Sequence, residues 1–142
     1  MKKCKSFKIQ ELVPPDVFKS HGEDAWAFVD PKLIDMVDLL KERFPKGTIT
    51  INNYLWNGSR VASGLRIPTN EHYSKTSQHA LHPVDLVFRA VDCLFSDYDA
   101  EDVRQDIKDN PDVYVHVRGL EDGVSWLHMD TRNRNELLVF TA

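Results

Sequence analysis

Val113-Tyr114-Val115-His116-Val117-Arg118-Gly119-Leu120-Glu121-Asp122-Gly123-Val124-Ser125-Trp126-Leu127-His128-Met129-Asp130 carries two strand-like segments about a turn. Apolar and polar residues alternate over 113–118, the period of a half-buried strand. Glu121-Asp122-Gly123 supplies turn chemistry, and 124–129 reads as a returning strand, so the whole predicts an antiparallel hairpin. Along Trp126, His128 and Asp130 the side chains share one face, because a strand alternates with period two. An indole, an imidazole and a carboxylate on one face are costly in a dry core, about 1–3 kcal/mol for each unpaired polar group. A functional site accounts for them more simply.

Working outward, residues 136–141 predict a last strand. On the other side, Asp99 can cap a helix over 100–108 with Val103 and Ile107 inward. The run Val84 to Val91 reads as a central strand, with a buried helix as the alternative. Thr48-Ile49-Thr50-Ile51 is β-branched and alternating, hence another strand. Asp30-Pro31 is a helix start, and Leu33, Met36, Val37, Leu40 and Phe44 form one apolar face, predicting a helix over 31–44 closed by Pro45-Lys46-Gly47. Pro14-Pro15 marks residues 5–18 as irregular or briefly extended, Trp56-Asn57-Gly58-Ser59 as a turn, and 67–76 as a loop. Helix, strands, one inserted helix and more strands make an α+β domain with an antiparallel sheet and flanking helices.

The chain has 142 residues, one domain's worth, with its core expected over about 12–140. A hydrophobic content of 42% and a charged content of 28% place it among ordinary globular proteins. A formal net charge of -4 argues against a nucleic-acid partner. Lys2, Lys3, Lys5 and Lys8 read as a solvated basic cluster. Cys4 and Cys93 sit in dissimilar contexts and form no disulfide framework, Cys93 reading as a small core residue. Neither a signal-peptide segment behind the lysines nor a membrane span is found, so the expectation is synthesis in a reducing cytoplasm. Oligomeric state is not readable.

Six histidines are present: His21, His72, His79, His82, His116 and His128. His79 and His128 stand out by setting. The segment Ser77-Gln78-His79-Ala80-Leu81-His82-Pro83-Val84-Asp85 and the segment around His128 each offer imidazole near carboxylate, the ligand types a zinc ion draws from separate parts of a fold.

Ser77-x-His79, an aspartate downstream leading into an apolar segment, Ser63-Gly64-Leu65-Arg66 upstream and Trp126-Leu127-His128-Met129-Asp130 downstream together resemble the zinc D-alanyl-D-alanine carboxypeptidase family. That family includes peptidoglycan peptidases of bacteria and phages and shares its fold with the hedgehog signalling domain. The resemblance runs from about Leu12 to Val139 and is closest to short single-domain phage members. It implies Zn2+ bound by His79, Asp85 and His128, a fourth position for water, and Arg66 gripping a substrate carboxylate or carbonyl oxygen. Ser77, Tyr73, Trp126 and Asp130 would contact substrate.

The pattern departs from the family in two places. The family spaces its first histidine and aspartate by seven positions with a glycine between and a small residue two before the aspartate. Here the spacing is six and His82-Pro83 fills the gap, which leaves His82 as an alternative ligand. The family's glutamate three before the last histidine is Ser125 here, so Glu121 is the expected general base and Asp122 its runner-up. The implied activity is zinc-dependent hydrolysis of amide bonds in peptidoglycan stem or cross-link peptides, as a D-Ala-D-Ala carboxypeptidase or an L-Ala-D-Glu-type endopeptidase acting on the cell wall. Two other readings compete: a catalytically silent zinc module of the same fold, and an α+β interaction domain without metal.

Overall fold

The computed structural model describes residues 1–141. The first helix, α1 (Pro15–His21), begins where irregular chain was expected. Pro14 is extended and Pro15 takes the first helical position, where its missing N–H leaves no bond unmade. A 3₁₀ segment over Gly22–Phe28 follows and buries Ala25 and Trp26. Helix α2 (Pro31–Arg43) stands where the sequence put it. The Asp30 carboxylate accepts from the Lys32 amide at 3.2 Å, and Leu33, Ile34, Met36, Val37 and Leu40 face inward. Helix α3 (Ala100–Asp109) is capped by Asp99 and buries Val103 and Ile107, as read.

Five strands follow in chain order: β1 (Ile49–Thr50), β2 (Ala90–Phe95), β3 (Gly119–Asp122), β4 (Leu127–Asp130) and β5 (Leu138–Thr141). They form one sheet in the order β1-β2-β4-β3-β5. The first three junctions are antiparallel, but β5 runs parallel to β3, so the α+β expectation holds and the purely antiparallel sheet does not. After β4 the chain crosses β3 and re-enters at its far edge. There the Leu138 amide donates to the Arg118 carbonyl at 2.8 Å and the Arg118 Nε to the Arg134 carbonyl at 3.2 Å.

Two predicted strands are displaced. The run read as a strand over 84–91 is mostly a tight loop: the His82 amide donates to the Val87 carbonyl, the Leu86 amide to the His82 carbonyl, and Leu86 has φ 59°. Regular pairing starts only at Ala90. Residues 113–118 alternate in hydrophobicity yet form successive turns, because the Val113 and Tyr114 amides both reach the Asn110 carbonyl and the Val117 amide reaches Tyr114. Tyr114 and Val117, three apart, are buried, while Val113 and Val115 are exposed. Glu121 and Asp122 therefore lie in β3, and the turn falls at Gly123, whose φ of 79° suits glycine.

That turn is held from below by α3. Arg104 is 2% exposed and donates to the Trp126 carbonyl at 3.0 Å and the Val124 carbonyl at 2.9 Å, with a longer bond to the Glu121 carbonyl at 3.4 Å. The Glu101 carboxylate accepts from its Nε at 3.1 Å.

Strand alternation divides the sheet chemically. Val91, Cys93, Leu120, Leu127 and Met129 join Leu33, Val37, Leu40, Val103 and Ile107 in one apolar cluster. The residues between them, Asp92, Glu121, His128 and Asp130, are polar and buried on the other face. Two loops close over that face, fastened by the Asp92 amide to the Ser63 carbonyl (2.7 Å), the Arg66 amide to the His79 carbonyl (2.8 Å) and the Arg89 amide to the Gln78 carbonyl (2.8 Å). Gly64 lies so close to the Leu12 carbonyl that any Cβ would overlap it. Among the described residues no helix is long and apolar enough to cross a membrane.

Replacing Arg104 with leucine orphans the hairpin carbonyls at Val124 and Trp126. Urea unfolding should show a loss of about 2–4 kcal/mol, with amide exchange rising first over residues 121–127.

Candidate metal centre

The antiparallel register of β2 and β4 sets Asp92 opposite His128. The loop that ends at Ala80 brings in His79 from above. One nitrogen of each imidazole and one oxygen of Asp92 lie within 4.8 Å of one another, and all three residues are buried. His79 Nε2 is 3.3 Å from Asp92 Oδ1, and His128 Nδ1 is 2.9 Å from the same oxygen.

The far side of each ring fixes which nitrogen faces the centre. His79 Nδ1 is 2.8 Å from the Gly64 carbonyl, which can only accept, so Nδ1 carries the proton and Nε2 presents its lone pair inward. His128 Nε2 is 2.9 Å from Asp130 Oδ2. Asp130 is fully buried and grips Arg132 through Nε at 2.7 Å and Nη2 at 2.6 Å. Burial alone would raise the Asp130 pKa, but the hydrogen bonds from Arg132 and His128 outweigh it and hold it down to about 2. An ionised Asp130 accepts the His128 Nε2 proton, which leaves Nδ1 as the inward lone pair. This is the carboxylate–histidine support that metal sites use to orient a ligand ring.

Three electron-pair donors thus face one another and need protons or a metal ion between them. Ligands in a tetrahedral zinc site at bonds of about 2.0–2.1 Å stand roughly 3.3 Å apart, and the two Asp92 contacts are close to that separation. The donor set, two imidazoles and one carboxylate, fits zinc. Asp92 Oδ2 accepts from Arg66 Nη2 at 2.9 Å, which leaves Oδ1 to the centre. In the metal-free protein burial works against the charge of Asp92, yet protons on the inward nitrogens of His128 and His79 hydrogen-bond to it and hold its carboxyl well below the usual carboxylate range.

The structure brings His79 and His128 together as expected but not Asp85. Asp85 lies on the exposed 82–86 loop, paired with Arg89 and 3.4 Å from His82 Nδ1. The ion pair with Arg89 keeps its carboxyl below the usual range. His82, half exposed on the same loop, accepts from the Val84 amide and is no part of the cluster. Asp92 takes the place given to Asp85. The resemblance carried a signal for it, since it implies a small residue two before the aspartate: Ala90 stands there for Asp92, whereas Pro83 stands there for Asp85.

A cleft of about 390 Å³ opens beside the cluster, lined by Ser77, Gln78, Glu121, Trp126 and Phe140 together with Arg66 and Arg132. Glu121 is 9% exposed, and among the described residues its carboxylate has no hydrogen-bond or ion-pair partner. Asp122 points elsewhere, to Lys108 at 3.2 Å. Ser77 accepts from the His79 amide through its hydroxyl and so shapes the ligand loop. Tyr73 is outside the lining. Arg66 reaches the cleft but is anchored to Asp92 and to the Ala62 carbonyl. Gly119 faces Asp130 across the β3–β4 pair, and any Cβ there would overlap the carboxylate.

Fold and site define a mixed-sheet α+β domain with a buried two-histidine, one-aspartate group able to hold a metal ion. No family model, curated protein or solved structure matches the chain.

Asp130→Asn and Gly119→Ala should each weaken zinc binding by about 10–100-fold, read by competition with a chromophoric chelator. In chelator-treated protein, burial lowers the His128 pKa, but the Asp130 and Asp92 hydrogen bonds outweigh it and push it up to about 9 from 6.5. The folded chain then holds a proton that the unfolded chain has released. Stability from this source is complete below the unfolded pKa and is lost as pH rises through about 9. A metal ion held by this group would replace the proton, so thermal melts across that window should slope downward with chelator and flatten with added zinc.

Proposed function

We propose that the chain is a zinc-dependent peptidase that hydrolyses amide bonds in bacterial peptidoglycan peptides, as a carboxypeptidase or an endopeptidase. The observation that carries this reading is the convergence of His79 Nε2, Asp92 Oδ1 and His128 Nδ1 beside a cleft that also holds the unpaired Glu121 carboxylate. The sequence resemblance supplies the substrate class, and the ligand set with Asp92 fits the family's small-residue rule better than the set with Asp85.

Zinc bound here would acidify a water and polarise a carbonyl oxygen. The chain's own residues do the rest. Glu121, buried at the cleft wall and free of partners, accepts the proton as water adds to the amide carbonyl and returns it to the departing amine. Asp130 and Arg132 hold His128 in one tautomer throughout. Trp126 and Phe140 narrow the cleft and exclude bulk water from around the peptide. Arg66 keeps Asp92 oriented, so its contribution to substrate is secondary to the grip first expected of it.

A silent zinc-binding module is the second reading. It is favoured by Ser125 standing where the family has its glutamate and by the tie of Arg66 to Asp92.

Zinc content and digestion of purified peptidoglycan, followed by mass spectrometry of the released peptides, test both. Glu121→Gln should keep stoichiometric zinc and lose about 10²–10⁴-fold in kcat, while His128→Ala should lose metal and activity together. Unchanged cleavage by Glu121→Gln removes the base assignment. Intact walls of every type after treatment with zinc-loaded wild type would favour the silent module.

A further inference from the structure

A second cavity, of about 590 Å³, adjoins the metal cleft and shares Gln78 and Arg132 with it. Arg89 lines it. The Arg89 backbone is tied on both sides: its amide donates to the Gln78 carbonyl at 2.8 Å and its carbonyl accepts from the Thr131 amide at 2.9 Å. Gln78 precedes the ligand His79, and Thr131 follows Asp130, so the position of Arg89 is fixed relative to the metal group.

The arginine is well placed, but its partner is not. Arg89 Nε lies 3.6 Å from Asp30, too far for a hydrogen bond, and Asp30 is committed to the Lys32 amide and the Thr131 hydroxyl. The two terminal nitrogens face Asp85, with Nη1 at 3.3 Å from Oδ1 and Nη2 on Oδ2. That is the two-pronged geometry by which arginine reads a carboxylate. The Arg89 side chain is 16% exposed and that of Asp85 is 46% exposed. The loop carrying Asp85 also leaves Val84 at 84% and Leu86 at 57% exposure, and gives Leu86 a left-handed φ of 59°. Apolar side chains in water and a left-handed leucine both count against the observed loop position.

We propose that Arg89 is a carboxylate-binding subsite for an acidic peptide, and that Asp85 holds it as a stand-in until the substrate's carboxylate replaces it. The exposed tip of the loop, residues 83–86, swings outward in the exchange while Phe88 stays in the core, and Val84 and Leu86 then cover apolar parts of the peptide at the cavity rim. Shared lining with the metal cleft makes the acidic group a near neighbour of the amide to be cut. The identity of the ligand as a peptide substrate rests on the peptidase reading, but the carboxylate exchange at Arg89 does not.

Calorimetric titration with acetyl-alanyl-glutamate and acetyl-alanyl-glutamine, both amidated at the α-carboxyl so that the first carries one carboxylate and the second none, and each with D- and L-configured second residues, tests this without requiring turnover. Wild-type protein should bind the acid more tightly than the amide. Asp85→Asn should widen that preference by about tenfold, because an internal competitor no longer occupies the site. Arg89→Gln should abolish it, and Arg89→Lys, which keeps the charge and loses the fork, should retain part of it. A preference for the D-glutamyl acid assigns the carboxylate to wall peptide, and equal binding assigns it to acidic peptides in general; both support the subsite. An acid-to-amide ratio that is the same in wild type, Asp85→Asn and Arg89→Lys overturns it, even if Arg89→Gln fails to fold. Should the ratio behave as expected while peptidoglycan stays intact, the peptidase reading falls and the subsite stands.

Discussion

One carboxylate organises the molecule. Asp92 meets both imidazoles through Oδ1 and Arg66 through Oδ2, while its amide fastens the Ser63 loop to the sheet. Three separate parts of the chain converge on this side chain. The β2–β4 register sets it opposite His128, and the alternation of both strands puts apolar neighbours into the core and polar ones into the site. Because three electron-pair donors cannot share a buried space without positive charge, the folded state must recruit protons or a metal ion there.

Around that centre, support is layered. Asp130 and Arg132 fix the ring of His128, the Gly64 carbonyl fixes that of His79, and two glycines leave the room these contacts need. Arg104 reaches through from α3 to the carbonyls of the hairpin that presents Glu121 and Trp126. Buried polar groups of this kind stabilise a fold only when every partner is in place. Here every side-chain nitrogen or oxygen closed off from solvent has a partner among the described residues, and the Glu121 carboxylate, which has none, opens onto the cleft.

Helices α2 and α3 were legible because each carries a capping aspartate and an apolar face of helical period. The strands were harder to read. Val84 to Val91 looks like a central strand only if its apolar residues are inside, and Val84 and Leu86 are outside. Val113 to Val117 alternates, but Asn110 draws two successive amides to one carbonyl and coils the chain into turns. The parallel β3–β5 pairing depends on where the 131–137 connection crosses, which no local pattern encodes. Of the metal ligands, the two histidines announced themselves by their neighbours. Asp92 was hidden because the Leu81–Phe88 loop separates it from His79, and a nearer aspartate filled the expected place. The Asp85 error was informative in its own way, since that residue proves to face an arginine.

Cys93 follows Asp92 directly, and its thiol faces the apolar core, where burial pushes its pKa up. Pairing shifted by a single residue would exchange the two side chains, turning sulfur toward the two imidazoles and sinking an ionised acid among Leu120, Leu127 and Met129. Strand alignment in this protein thus also decides whether the buried group offers a hard or a soft donor to a metal ion, a choice enforced by the insolubility of charge in hydrocarbon.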